Sequence, residues 1–320
     1  MSGQPQVLAH ETVLLREAVE MLVTDRAGIY VDATYGRGGH SRAILEALDQ
    51  NGRLLGIDKD WEAIRDGERL AEADRRFEIL QGSFAQIQEH LSKTGVKKVQ
   101  GVMADLGVSS PQLDDANRGF SFQNDGPLDM RMDAAKGLSA AQWLAMVSVA
   151  ELADVLKVYG EERYAKRIAG AIIEAQRKTP IVTTARLAQI VSDANPAWEK
   201  HKHPATRAFQ AIRIKINNEL GDLERFLAES VKTLAVGGRL VVISFHSLED
   251  RMVKQFMRKM AQGDAPPHGV PVREQDIFRQ FRLLGRAVMP DDIEVERNAR
   301  ARSAVMRVLE RIADADSKGK

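Results

Sequence analysis

Asp32-Ala33-Thr34-Tyr35-Gly36-Arg37-Gly38-Gly39-His40-Ser41 decides the fold of this chain. It follows the apolar run Ile29-Tyr30-Val31 and precedes the helix-like stretch Arg42-Ala43-Ile44-Leu45-Glu46-Ala47-Leu48, so it reads as a glycine-rich strand-to-helix turn. Such turns build ligand sites. Glycine lets a ligand approach the backbone, and the N–H groups opening the next helix face polar or anionic groups. The dinucleotide fingerprint G-x-G-x-x-G fails at its last position, where Ser41 stands, and the phosphate-loop pattern G-x-x-x-x-G-K-[ST] occurs nowhere. What remains is D-x-T-x-G-x-G-G-H, with an acid at the strand end that suits a cationic ligand. The same turn also serves simply to seat a helix on a sheet, so alone it names no ligand.

Further strands follow in a βαβ rhythm. Arg53-Leu54-Leu55-Gly56-Ile57 ends in Asp58, nineteen residues after Gly39, a place that suits ribose hydroxyls. Phe77-Glu78-Ile79-Leu80 leads into Gly82-Ser83-Phe84, and Val99-Gln100-Gly101-Val102-Met103-Ala104 ends in Asp105-Leu106-Gly107. In a doubly wound sheet the carboxyl ends of strands near the switch point line one crevice, so Asp32, Asp58, Phe84 and Asp105 are expected to converge. Acids for amino and hydroxyl groups, a ring for adenine and open backbone beside methionine describe an S-adenosylmethionine pocket. Singly, Asp58 reads equally as a solvated strand end and Phe84 as core; the ordered conjunction carries the cofactor reading.

The 320 residues fit two domains, and an apolar share of 44% is enough for packed interiors. The absence of cysteine excludes disulfides, zinc-thiolate sites and cysteine nucleophiles, and no metal ligand set is assigned. Met1 to His10 lacks the pattern of a secretory leader, and no stretch of about 18 uncharged apolar residues occurs, so a cytoplasmic, non-membrane protein is expected. With 46 Lys+Arg against 45 Asp+Glu, bulk charge does not announce nucleic acid. Local patterning says more. Lys200, Lys202, Arg207, Arg213 and Lys215 form one acid-free basic stretch, and Arg297, Arg300, Arg302 and Arg307 form a second basic cluster. Each fits a solvated face; two in a balanced chain favour a phosphate-backbone partner.

Helical patterns occur near Glu11–Leu22, Arg42–Leu48, Trp61–Leu70 and Phe84–Leu91. The next strand, Arg239 to Phe245, follows an amphipathic helix from Asn218 to Leu234, and one crossover helix suffices between parallel strands. Residues 111–216 are therefore surplus to the sheet and are expected to form an inserted, mainly helical domain. Its helices are expected at Ser139–Met146, Val149–Val158, Glu161–Ala175 and Thr184–Ser192, with Ser139 and Thr184 as N-caps. Phe120 to Met132 has no steady period and reads as a functional loop. His246-Ser247-Leu248-Glu249-Asp250-Arg251 follows the fifth strand and precedes a basic helix at Met252–Met260. Pro266-Pro267-His268-Gly269 reads as mobile, and Ala304 to Leu309 suits a final strand.

At the fourth strand, Asp105-Leu106-Gly107-Val108-Ser109-Ser110-Pro111-Gln112 sits where a methyl donor and acceptor would meet. An exocyclic base amine is a poor nucleophile because its lone pair is conjugated into the ring. Methylating it requires acceptors for its hydrogens, so that nitrogen pyramidalises toward the methyl carbon. Asp105 is placed to hold the acceptor, the cofactor, or both. His40 and His246 read more readily as structural hydrogen-bonding residues than as bases.

Taken together, His10-x-x-Val13-Leu14-Leu15-x-Glu17-Ala18-Val19, the Gly36–Ser41 turn, Asp105-Leu106-Gly107-Val108-Ser109-Ser110-Pro111-Gln112-Leu113-Asp114, Gly126-Pro127-Leu128-Asp129-Met130-Arg131-Met132, Tyr159-Gly160-Glu161-Glu162-Arg163, Pro204-Ala205-Thr206-Arg207-x-Phe209-Gln210-Ala211 and Ser244 to Arg251 resemble the bacterial 16S ribosomal RNA cytosine-N4 methyltransferases. The resemblance runs from about His10 to Leu309. It implies a Rossmann-like, mostly parallel class I methyltransferase sheet (residues 1–110 and 217–320) with a substrate-recognition insertion (111–216). It also implies S-adenosylmethionine as donor and the N4 amine of a decoding-region cytosine in 16S rRNA, within the small ribosomal subunit, as acceptor. Carried across, the cofactor positions are Gly38, Gly39, His40, Asp58, Phe84, Asp105 and Gln112. Lys202, Arg207, Arg213, His246, Arg300 and Arg302 are the candidate RNA contacts. A homodimer is compatible with the sequence, which leaves oligomeric state open. Amino-methyltransferases of DNA usually carry Pro-Pro and an aromatic after the strand-four Asn or Asp; here the stacking partner is unassigned among Phe120, Phe122 and Phe209. A small-molecule methyltransferase and a nonenzymatic RNA-binding module are the alternatives.

Overall fold

The computed structural model describes residues 12–197, 203–263 and 277–314. The strands are β1 (Ile29–Asp32), β2 (Arg53–Asp58), β3 (Phe77–Gln81), β4 (Val99–Asp105), β5 (Leu234–Ser244), β6 (Phe281–Leu283) and β7 (Val305–Arg311); β1, β2, β4 and the second half of β5 are near-continuous apolar runs, the pattern of strands buried on both faces. They join in one sheet in the order β3-β2-β1-β4-β5-β7-β6. β1 to β5 pair in parallel, and β7 runs antiparallel to both β5 and β6. Strand order reverses between β1 and β4, so the switch point lies where Asp32 and Asp105 end adjacent strands.

Strand residues alternate between two faces. Tyr30, Leu54, Met103, Val241 and Ile243 pack with Ala18 and Leu22 of α1 (Leu15–Leu22), Ile44 and Leu45 of α2 (Gly39–Ala47) and Ala63 of α3 (Trp61–Ala73). Val31, Leu55, Val102, Leu240 and Val242 pack with Ile87 and Leu91 of α4 (Ile87–Lys93), Phe226 of α11 (Glu219–Thr233) and Met257 of α12 (Ser247–Gln262). Both faces are covered, which is the doubly wound arrangement expected. Among the described residues no helix is long and apolar enough to cross a membrane.

The chain divides into two compact units, Met1–Gly107 with Asp222–Lys320, and Val108–Gly221. The second is helical: α5 (Ser110–Asp114), α6 (Ala140–Met146), α7 (Val149–Gly160), α8 (Ala165–Lys178), α9 (Thr184–Ala194) and α10 (Thr206–Asn217). Its core gathers Leu144, Leu152, Leu156, Ile168, Ile172, Leu187, Val191, Phe209 and Ile212. The stretch read as a functional loop is anchored in it: Phe120, Leu128 and Met130 are buried, and Leu128 N–H donates to the Val182 carbonyl.

Several boundaries differ from those read in the sequence. Thr183, not Thr184, caps α9 by accepting from Arg186 N–H, while Thr184 is buried and accepts from Gly126 N–H. Glu161 takes a left-handed conformation (φ 49°) that ends α7, so α8 starts later than expected. Helix α12 starts at Ser247 because His246 and Glu249 form a capping box. Four elements, α5, α10, α13 (Asp292–Arg297) and β6, have no counterpart in the sequence reading. β6 has three residues, two of them exposed, and the basic residues of α10 mask its apolar face of Ala208, Phe209, Ala211, Ile212 and Ile214.

Candidate functional site

The turn after β1 is left-handed at Gly36 (φ 57°) and Gly38 (φ 68°), a conformation that favours glycine. A Cβ on Gly38 would sit 2.5 Å from the Tyr35 hydroxyl, and one on Gly39 would overlap Thr12 Oγ1. Both glycines thus make room for the protein's own side chains. Gly36 is different: a Cβ there would meet only the Thr34 carbonyl, at 3.8 Å. Gly107 after β4 (φ 99°) is similarly open, with Phe245 at 3.8 Å.

Three acids end neighbouring strands. Asp32 is buried and accepts from Ser41 Oγ at 2.6 Å and Thr34 N–H at 3.2 Å; burial pushes its carboxyl up to about 6. Asp58 accepts from Gly36 N–H and Asp60 N–H, both at 2.8 Å, and burial raises it too. It therefore braces the glycine turn, leaving further lone pairs for a hydroxyl donor. Asp105 is held at its N–H by Thr34 Oγ1 at 2.6 Å. Its Oδ1 is buried without a hydrogen-bond partner. Burial first, then the charges of Asp32 and Glu249, holds this carboxyl well above the usual range.

His40, near the start of α2, is buried, with Nε2 3.1 Å from the Val13 carbonyl oxygen. A carbonyl only accepts, so Nε2 carries the proton and the neutral ring presents its Nδ1 lone pair. That atom lies 3.7 Å from Asp105 Oδ2, and burial lowers the ring to about 4.

Phe84 follows β3 and is partly buried, meeting Phe226 edge to face with centroids 5.0 Å apart. Lys59 Nζ stands 5.6 Å from its centroid and pairs with Asp222 at 2.6 Å, where Ser83 Oγ also donates. His40, Asp58, Phe84 and Asp105 thus belong to strand ends of one unit. Gln112 lies in the other unit, where its Oε1 accepts from Ser109 N–H and caps α5.

The basic candidates divide by environment. Lys202 lies outside the described residues, as do His10 and Pro266 to Gly269. Arg213 makes a two-pronged ion pair with Glu219 (2.8 and 2.7 Å) and is built into its unit rather than displayed for phosphate. Arg207 donates to the Glu161 carbonyl, and His246 caps α12 with Nδ1, so both have fold-level work. Arg300 and Arg302 are exposed on a short 3-10 turn anchored by buried Ala301. Of the stacking candidates, Phe120 and Phe209 are core, and Phe122 is partly buried and stacked on His203 at 4.5 Å.

Sequence reasoning missed Thr34 and Ser41 as braces of Asp105 and Asp32, although both sit inside the quoted turn. It also missed Glu294 of α13 (Asp292–Arg297), whose Oε1 accepts from Leu14 N–H at 2.8 Å. No local signal marks that contact, because its partner is 280 residues away.

The model of the MraW methylase family matches residues 7–312. The chain is 58% identical over 306 residues to the Ribosomal RNA small subunit methyltransferase H of Marinomonas sp. (strain MWYL1), covering 95% of this chain and 98% of that protein. It is 53% identical over 305 residues to the protein of the same name from Legionella pneumophila (strain Paris), covering 95% and 99%.

Proposed function

The chain belongs to the MraW methylase family, and on that premise we propose that it is an S-adenosylmethionine-dependent methyltransferase of small-subunit ribosomal RNA, acting on the exocyclic N4 amine of a cytosine in the decoding region. The names of its relatives support the RNA, and the sequence blocks quoted above support the amine. The helical insertion is assigned to substrate recognition. Exposed Arg300 and Arg302 are assigned to phosphate contact.

The observation that carries the reading is the buried, unpartnered Oδ1 of Asp105 at the switch point, beside the open backbone of Gly36 and Gly107. A sulfonium nucleoside fits these residues. Asp58 offers acceptors for ribose hydroxyls, Phe84 a ring for adenine, and three strand-end acids favour a cation. When bound, the donor supplies an electrophilic methyl carbon. Asp105 accepts a hydrogen from the cytosine amine, which frees the nitrogen lone pair from the ring and aims it. With the donor's methyl carbon supplied there, the Asp105 carboxylate would take the surplus amine proton.

Incubation with methyl-labelled donor and small ribosomal subunits, followed by mass-spectrometric mapping of nucleosides, tests the proposal. N4-methylcytidine in the small-subunit RNA is the expected product. Label appearing only in a metabolite pool removes the RNA assignment.

A cation beside Asp105 favours its ionised form, so donor binding is expected to release protons where the free carboxyl is still protonated. Calorimetry in buffers of differing ionisation enthalpy measures it. The neutral thioether product is expected to release far less; equal release by both ligands contradicts the placement of Asp105 at the sulfonium.

A further inference from the structure

The Val13–Leu14 peptide is gripped at both ends. Its carbonyl oxygen accepts from His40 Nε2 at 3.1 Å, and its N–H donates to Glu294 Oε1 at 2.8 Å. Leu14 is buried and left-handed (φ 51°, ψ 33°), a conformation that a branched residue keeps only where its surroundings impose it. Glu294 is itself set in the first turn of α13, where its N–H donates to Asp291 Oδ1 at 2.8 Å. Hydrogen bonds in series polarise one another, so a carboxylate on this N–H makes the carbonyl of the same peptide a stronger acceptor. The acceptor in turn fixes which nitrogen of His40 carries the proton, just as partners of metal-bound histidines fix theirs.

We infer that Glu294 is a positioning residue for methyl transfer: through the Val13–Leu14 peptide it holds His40 in the tautomer whose Nδ1 lone pair faces Asp105 Oδ2. The inference rests on the proposed function and extends it to a residue far from the reacting atoms. With a lone pair at Nδ1, no N–H stands against Asp105 Oδ2, so once a bound cation has ionised that carboxyl its charge stays available to the substrate amine. A tautomer flip would set an N–H against Oδ2 and take up the charge that the amine needs.

The test uses the full chain with 15N-labelled histidine, the His40 signals being identified by their loss in His40→Gln. Wild type is expected to show Nε2 protonated and Nδ1 unprotonated. In Glu294→Ala the two tautomers are expected to mix, Leu14 amide exchange to quicken, and kcat to fall about tenfold or more, with KM for the donor within twofold. Glu294→Gln keeps an acceptor oxygen without the charge and is expected to fall between the two, and it carries the test alone if the alanine variant does not fold. Lowered stability with an unchanged tautomer and kcat identifies Glu294 as a mere staple and overturns the inference. The tautomer is read without RNA. A shifted tautomer in a protein that never methylates RNA therefore removes the function and leaves the positioning intact.

Discussion

Asp105→Asn is expected to lower kcat for RNA methylation about a thousandfold while leaving the protein at least as stable as the wild type. The kinetic loss follows from removing the group that accepts the amine hydrogen and then its proton, since general-base and preorganised electrostatic contributions are each worth about 10² to 10³ or more. The stability follows from the same carboxyl's surroundings. Its Oδ1 has no partner, and burial together with Asp32 and Glu249 opposes its charge. A neutral amide removes that opposition. Active sites commonly hold groups that the fold alone would reject. Single-turnover methyl transfer and thermal melting measure the two halves; a kcat within tenfold of wild type would sink the assignment.

Acid stability provides the second large effect, because Asp32 and His40 titrate in opposite senses. His40 in the unfolded chain takes its proton near 6.5 but in the fold only near 4, so between those values the unfolded state binds more protons and stability falls as pH falls. Asp32 in the fold takes its proton near 6 but unfolded near 3.8, so over almost the same window the folded state binds more and stability rises as pH falls. The two contributions nearly cancel in the native protein. Asp32→Asn removes one side, and stability relative to wild type is then expected to drop by about 3 kcal/mol between pH 6.5 and 4, because each tenfold change in proton affinity is worth about 1.4 kcal/mol. Replacing His40 with glutamine is expected to reverse the trend. Denaturant titrations across that range decide it; parallel pH profiles for wild type and Asp32→Asn contradict the burial of these groups.

The strand tips are legible because parallel strands buried on both faces write long apolar runs, and the acids that end those runs stand out. Asp32, Asp58 and Asp105 can be picked out that way without any family resemblance. The glycines stand out too, but their reason does not. Their need arises from Thr12, Tyr35 and Arg42 crowding the turn, and such crowding leaves no trace in spacing. Arg213 reads as a free cation in the sequence because Glu219, six residues on, lies beyond the acid-free window. Helix α10 is hidden by the same charges, although its apolar positions recur at helical spacing. Glu294 shows the general limit: a contact across almost the whole chain carries no local pattern.

The register of the sheet also bears on how the chain is made. β4 pairs on one side with β1, already synthesised, and on the other with β5, which begins at Leu234. At a ribosomal pace of about 5–20 residues per second, roughly 6–26 s pass between the emergence of the two. For that interval Val99–Asp105, apolar along nearly its whole length, presents an open edge to the crowded cell. Helices that arise in the meantime are local and quick to form, so the nascent chain waits with one half of its scaffold unfinished.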